Sequence, residues 1–269
     1  MSKTKTSGSR WLPLVLLNSL LIQAGIYVVR PIITYKSVEL GADAALVGLI
    51  GATFALAPLI LAIQVGRFVD KGRSGLALML GSVILVLTTI ALLFINSIAL
   101  LMLAMPALGM GHLLIMVGGQ TLIANRSSSS QYEKNFGLLT FYASAGHAIG
   151  PLVGGYLADS GEVTVNANAA FLFALALFLA AVIGTIALST RKENPRPKQD
   201  LEKAKLREVL AVPTFKSAMF VASATTAVVD VVLIFLPLYG REIGLSVTDI
   251  GILLAIRSVS YTHLTLPTN

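Results

Sequence analysis

Apolar residues along this chain come in blocks of about twenty, separated by short polar joints. A helix that crosses a bilayer needs roughly 20 such residues. Seven complete blocks meet that length, at about 11–34, 46–66, 75–95, 98–122, 136–158, 169–190 and 215–239. Each is expected to be a helix, because a helix satisfies its own backbone hydrogen bonds in a solvent that offers none. The first block is too long, and its flanks too polar, for a cleaved signal peptide, and no small-residue cleavage site follows it. It reads as the first span. An eighth block, VTDIGILLAIRSV, begins near Val247 and fades after about a dozen residues into SYTHLTLPTN.

The polar joints divide the chain. Residues 1–190 form a six-span bundle with short loops. Residues 191–214 are the longest polar stretch, with Pro195 and Pro197 favouring extended chain. Asp200 there is placed to cap an interfacial helix through Leu201, Ala204, Leu206, Val209 and Leu210, and a plain solvated linker is the alternative. Residues 215–259 begin a second bundle with one complete and one partial helix. Residues 260–269 are polar and turn-like and resemble translated sequencing-adapter readthrough, so His263 is given no functional weight. The chain has the look of the front part of a larger protein.

Composition agrees with the blocks and narrows the chemistry. The chain is 55% hydrophobic and 12% charged, more apolar surface than a soluble domain of this length can hide. It has no cysteine, which excludes disulfides, thiol catalysis and cysteine-ligated metal. The net charge of +7 could suggest nucleic acid, but its distribution argues otherwise. With the N-terminus inside, the inner joints hold nearly all the lysines and arginines, among them Lys3, Lys71, Arg73, Lys134 and Arg191, while the outer side holds Arg30, Lys36 and Arg241. That is the positive-inside asymmetry. It predicts a multi-pass protein of the cell membrane with a cytoplasmic N-terminus, partnered by lipid and not by nucleic acid.

The fifth block carries an unusual load of helix breakers: GLLTFYASAGHAIGPLVGGYLAD, from Gly137 to Asp159. A glycine in a soluble helix costs about 1 kcal/mol relative to alanine. In lipid, small residues four apart let backbones approach closely. Gly146, Gly150 and Gly154 have that interval, and Pro151 has no amide for the His147 carbonyl, so a bend is expected there. Gly137 falls about half a turn away from the others. A simple small-residue packing stripe explains the three spaced glycines alone. The whole set, Gly137, Gly146, Gly150-Pro151 and Gly154-Gly155, resembles the fifth-helix antiporter motif of the major facilitator superfamily, in the span where that family places it. A second stretch agrees. The joint after the second block, GRFVDKGRSG, resembles the superfamily's signature loop at Gly66, Asp70 and Lys71, with Arg73 one place early. The resemblance implies an all-α membrane fold: a six-helix N-terminal half of a major facilitator plus the start of the C-terminal half, the two halves rocking about a central site. It also implies a carrier that exports drugs or small metabolites in exchange for protons, with no cofactor and no enzymatic chemistry; this chain alone is not expected to transport.

The sequence departs from the family in places. The fourth block has Met105 where proton-linked members often have arginine four residues before a glycine, here Gly109. The first block lacks the acid that many drug antiporters carry. Polar residues at membrane depth are costly and face the interior, so the remaining candidates are few. Asp230 is the one carboxylate well inside a block, and a carboxyl in a low dielectric is cheaper neutral than charged. It is the leading proton carrier, with a structural pairing between helices as the alternative. His112 and His147 are secondary candidates, each with a buried, neutral, carbonyl-bonded state as the plainer reading. Asn18, Gln23, Arg30, Phe54, Phe141 and Tyr142 are candidates to line a cargo cavity, although Arg30, just before Pro31, is expected to snorkel to the headgroups. Gln64 and Gln120 also lie within blocks. Three scattered histidines do not make a zinc site. Uptake by proton symport is the alternative within the same fold. A seven-helix receptor or membrane-embedded enzyme is the remote one, opposed by the charge asymmetry and by the lack of a catalytic cluster.

Overall fold

The computed structural model describes residues 11–161, 165–189 and 211–265, with side chains to residue 260. The described residues form nine helices: α1 (Trp11–Glu39), α2 (Ala44–Thr53), α3 (Leu56–Val69), α4 (Ser74–Phe94), α5 (Ile98–Arg126), α6 (Tyr132–Ala158), α7 (Ala167–Ser189), α8 (Phe215–Glu242) and α9 (Val247–Thr265). Among the described residues there is no strand. Within those residues, seven spans are long and apolar enough to cross a membrane, α2 and α3 together making one of them, Ala44–Val69. The interfacial helix expected from Asp200 lies outside the described residues.

Two features differ from the sequence expectation, each for a local reason. The second span is interrupted at Phe54–Ala55. Pro58 has no amide to give the Phe54 carbonyl four residues earlier. The chain bridges the gap with tighter bonds, Phe54 N–H to Gly51 O at 3.3 Å and Ala55 N–H to Ala52 O at 3.0 Å. The freed carbonyl faces Gly109 of α5, where a Cβ would collide with it. The eighth segment, expected to fade near residue 259, continues as helix to Thr265. Its hydroxyls are absorbed by the preceding turn, Ser258 Oγ donating to Leu254 O at 2.9 Å and Ser260 Oγ to Ile256 O at 3.0 Å. Bonded back in this way, serine does not stop a helix whose apolar face is docked.

Helix α1 is the central element. Its middle, from Ile22 to Tyr35, is buried, and it packs chiefly against α6 and α7. The Phe178 ring of α7 lies directly on Gly25, and Phe171 and Phe178 are fully buried. Helix α4 fills the space between α5 and α7. The last two helices join this bundle differently: α8 meets α1 and α2, and α9 lies along α6. Large apolar side chains on the outside, such as Leu59, Ile63, Phe94, Leu103 and Ile183, are strongly exposed, as suits contact with acyl chains.

The joints entering α2 and α9 are built alike. After α1 the chain reads Glu39-Leu-Gly41, with Gly41 at φ +89°, and Asp43 caps α2 by accepting from Leu46 N–H at 2.8 Å. After α8 it reads Glu242-Ile-Gly244, with Gly244 at φ +78°, and Ser246 Oγ accepts from Asp249 N–H at 3.0 Å. Only glycine takes that left-handed turn without strain, and a hydroxyl or carboxylate then satisfies the new helix's free amide. The block pattern did not reveal this likeness between the two joints.

Candidate functional site

Helix α6 presents a different glycine surface to each of two neighbours. A Cβ on Gly146 would stand 2.6 Å from Leu20 O and 2.8 Å from Ala24 N, one on Gly150 would strike the Ala24 carbonyl, and one on Gly154 would lie 3.0 Å from Val28. The α1 backbone therefore rides on these three positions. Gly155 faces α9, where a Cβ would stand 2.7 Å from Val247 O, and Gly251 of α9 abuts the Pro151 carbonyl. The helix continues through Pro151 without interruption. Gly137, as its half-turn offset suggests, meets nothing within 4 Å.

The buried polar groups gather around α1. Arg30 is 6% exposed, and its Nη1 sits 2.5 Å from Asp230 Oδ1 of α8, a carboxylate whose side chain is 39% exposed. Its guanidinium also lies 4.5 Å from the Phe54 ring centroid, at the break between α2 and α3. The expected snorkelling is thus overturned: a carboxylate and a ring face inside the bundle replace the headgroup. Two turns back along α1, Gln23 Nε2 donates to Met116 Sδ at 3.0 Å, and Gln23 Oε1 is 3.0 Å from His112 Nε2. That amide accepts only if His112 carries its proton on Nε2. The His112 ring is 5.9 Å from Phe54. His147 is stacked on Tyr27, with ring centroids 3.9 Å apart.

Two contributors escaped the sequence reading. Arg257 of α9 donates from Nη1 to the Val229 carbonyl of α8 at 3.2 Å; a lone arginine in ILLAIRSV was the available signal. Asp159, the C-cap of α6, accepts from Thr248 N–H of α9 at 3.2 Å and from Gly161 N–H at 3.0 Å. Bonding from Thr248, then from Gly161, holds its carboxyl below the usual carboxylate range, outweighing a small opposing effect of burial.

A cavity of about 240 Å³ opens between α1, α4, α5 and α6, and Asn18, Gln23, Gln120 and His147 are in its wall. Arg30, Phe54, Phe141 and Tyr142 lie outside it. Phe141 is 57% exposed and packs edge-to-face on Tyr142. In the joint between α3 and α4, Gly72 adopts φ +74° and its N–H bonds to Val69 O at 3.0 Å. Asp70 and Lys71 are exposed there, and the Arg73 guanidinium is 5.4 Å from the Phe68 ring. Gly66 has open space beside it. Among the described residues no group of three or more potential ligands could hold a metal ion.

The chain belongs to the Major Facilitator Superfamily, whose family model matches residues 15–264. Among its relatives, the quinolone resistance protein NorA of Staphylococcus aureus is 30% identical over 194 residues, covering 71% of this chain and 49% of that protein. Multidrug resistance protein 1 of Bacillus subtilis is 24% identical over 245 residues, covering 90% of this chain and 62% of that protein. The chain thus spans about half to three-fifths of the length of these curated relatives. Its fold matches the crystal structure of a bacterial homologue of the human lysosomal transporter Spinster, inward-facing and unoccupied, with a TM-score of 0.73 at 21% identity over 94% of this chain and 61% of the other. The occupied form of that homologue matches with a TM-score of 0.69 at 19% identity, over 92% of this chain and 58% of the other.

Proposed function

We propose that the full-length protein is a secondary active exporter that moves small drug-like molecules out of the cell in exchange for protons, by alternating access. The observation that carries this reading is the two-sided α6 surface. Gly137 apart, the residues that resemble the antiporter motif are the ones on which α1 and α9 ride, so a change of tilt at α6 would move both neighbours together. The resistance proteins named above support drug-like cargo. The basic inner joints support a cytoplasmic N-terminus, which makes the Asp159 end of α6 the outer one. Residues 1–190 are then the N-terminal half and α8 opens the C-terminal half, so the Arg30–Asp230 pair bridges the two. Asp230 is the leading proton carrier: protonated, it releases Arg30 and unfastens that bridge. His112 and His147 stand behind it.

The test is the full-length protein in vesicles with an imposed pH gradient and a quinolone as cargo. Quinolone movement opposite to the protons supports export, and movement in the same direction would establish symport instead. Asp230→Asn is expected to reduce gradient-driven flux at least about tenfold, equivalent to about 1.4 kcal/mol. Cysteines at Lys3 and Lys71 should label from the cytoplasm.

A further inference from the structure

The second span is one apolar stretch of sequence but two pieces of structure, and each piece has its own core. In α2, Val47 and Ile50 are buried in the large cluster that holds Ile33 of α1 and Leu233 and Ile234 of α8. In α3, Val65 and Val69 belong to a separate small cluster with Ala77 of α4 and Leu114 of α5. Helix α8 meets α2 at its glycines: a Cβ on Gly48 would stand 3.0 Å from the Phe235 ring, and one on Gly51 would strike the end of Ile234. The apolar core thus divides where the helix does, at Phe54–Ala55.

The joint itself is weakly held. Pro58 withholds the amide that the Phe54 carbonyl would take in a continuous helix, and the turn is closed by the two short-range bonds from Phe54 and Ala55. An interruption of this kind removes a bond that would resist tilting of one piece against the other. Gly109 of α5 leaves room for the Phe54 carbonyl, since a Cβ there would collide with it. At its other end α2 joins α1 through Gly41, whose φ is +89° and beside which a Cβ would meet nothing within 4 Å. A ten-residue helix, bounded by a glycine turn and a proline-made break, has at both ends the few residues that absorb the backbone rotation of a hinge.

We infer that Phe54–Ala55 is a pivot and that α2 is a lid which tilts against α3 as the carrier opens and closes. The Phe54 ring sits at the pivot and faces the Arg30 guanidinium, 4.5 Å from the ring centroid. Release of the Arg30–Asp230 pair and tilting of α2 therefore act on the same residue. The lid's part in transport rests on the carrier reading, but the pivot can be measured without any transport.

The experiment places spin labels at Leu49 and Ile63 of the full-length protein in nanodiscs and measures the distribution of distances between them. Both positions are exposed and lie on either side of the joint, about 21 Å apart along a straight helix. Leu172 and Ile186, exposed at the same spacing on the unbroken α7, are the reference pair. The Leu49–Ile63 distribution should be at least about twice as wide as the reference. Pro58→Ala returns the missing amide and raises helix propensity, so the variant is expected to fold. It should narrow the distribution to the reference width and reduce gradient-driven flux at least about tenfold. Equal widths for the two pairs in the wild type overturn the inference even if the Ala variant does not fold. A distribution that Pro58→Ala leaves wide, or one narrowed with flux undiminished, overturns it as well. Absence of gradient-driven flux from a wild type that keeps the wide distribution would count against the exporter reading and leave the pivot standing.

Discussion

Gly150 and Gly137 share one helix and face opposite demands. At Gly150 a methyl group would strike the Ala24 carbonyl, whereas at Gly137 it would meet nothing within 4 Å. Gly150→Ala is therefore expected to destabilise the protein by about 1–3 kcal/mol through overpacking. Gly137→Ala should be neutral or stabilising by up to about 1 kcal/mol through helix propensity. Thermal unfolding in detergent separates them. The contrast was legible in the sequence, because a spacing of four selects a face and nine residues from Gly137 to Gly146 place the former off it. The partner of Arg30 was not legible. Asp230 lies 200 positions away, and no local pattern tells a snorkelling arginine from a paired one. Arg30→Met should cost about 2 kcal/mol, less than a fully buried pair because Asp230 keeps some solvent. The double variant Arg30→Met, Asp230→Leu should recover more than half of that, and a double-mutant cycle on unfolding free energies measures it.

At the scale of elements, a charge reinforces the glycine packing between the end of α6 and the start of α9. Asp159 accepts from Thr248 and Gly161 as a carboxylate, and those bonds lower its affinity for protons. The sign follows from linkage. The docked form binds fewer protons than the undocked one, so its advantage is complete above the ordinary carboxylate value of about 3.9. It disappears as the pH falls through the lowered value. Spin labels at the exposed Tyr156 and Leu253 should hold a constant separation from neutrality down to that range and spread only below it. Asp159→Asn should remove that step. Block length in the sequence located the spans, but it did not reveal this joint. Helix ends are set by caps and turns a few residues long, and a cap borrowed from another helix leaves no periodic trace. The interruption at Phe54 is similar. Pro58 announced it in principle, but only the glycine across on α5 makes it a stable arrangement.

Across the whole molecule, the polar bonds that fasten α8 and α9 to the first seven helices include the Arg30–Asp230 pair, the Asp159–Thr248 bond and Thr34 Oγ1 donating to Ile234 O at 3.1 Å. On the alternating-access reading these bonds must be released. A short bifunctional thiol reagent joining Asp159→Cys to Thr248→Cys in the full-length protein should reduce gradient-driven flux at least about tenfold, with recovery on reduction. The overall class was readable from twenty-residue apolar blocks and two motifs, because lipid permits so few architectures. The cavity was only half readable: Asn18 and Gln23 were visible as polar intruders, but which intruders share a space depends on how α1 rotates against α5 and α6. That rotation is dictated where α1 rides on bare backbone at Gly146, Gly150 and Gly154, and there evolution has no spare volume to spend. Substitution is therefore channelled away from that contact. In a substitution library screened for folded protein, replacements should be recovered at exposed positions such as Leu17 and Gln120, while those three glycines stay unchanged.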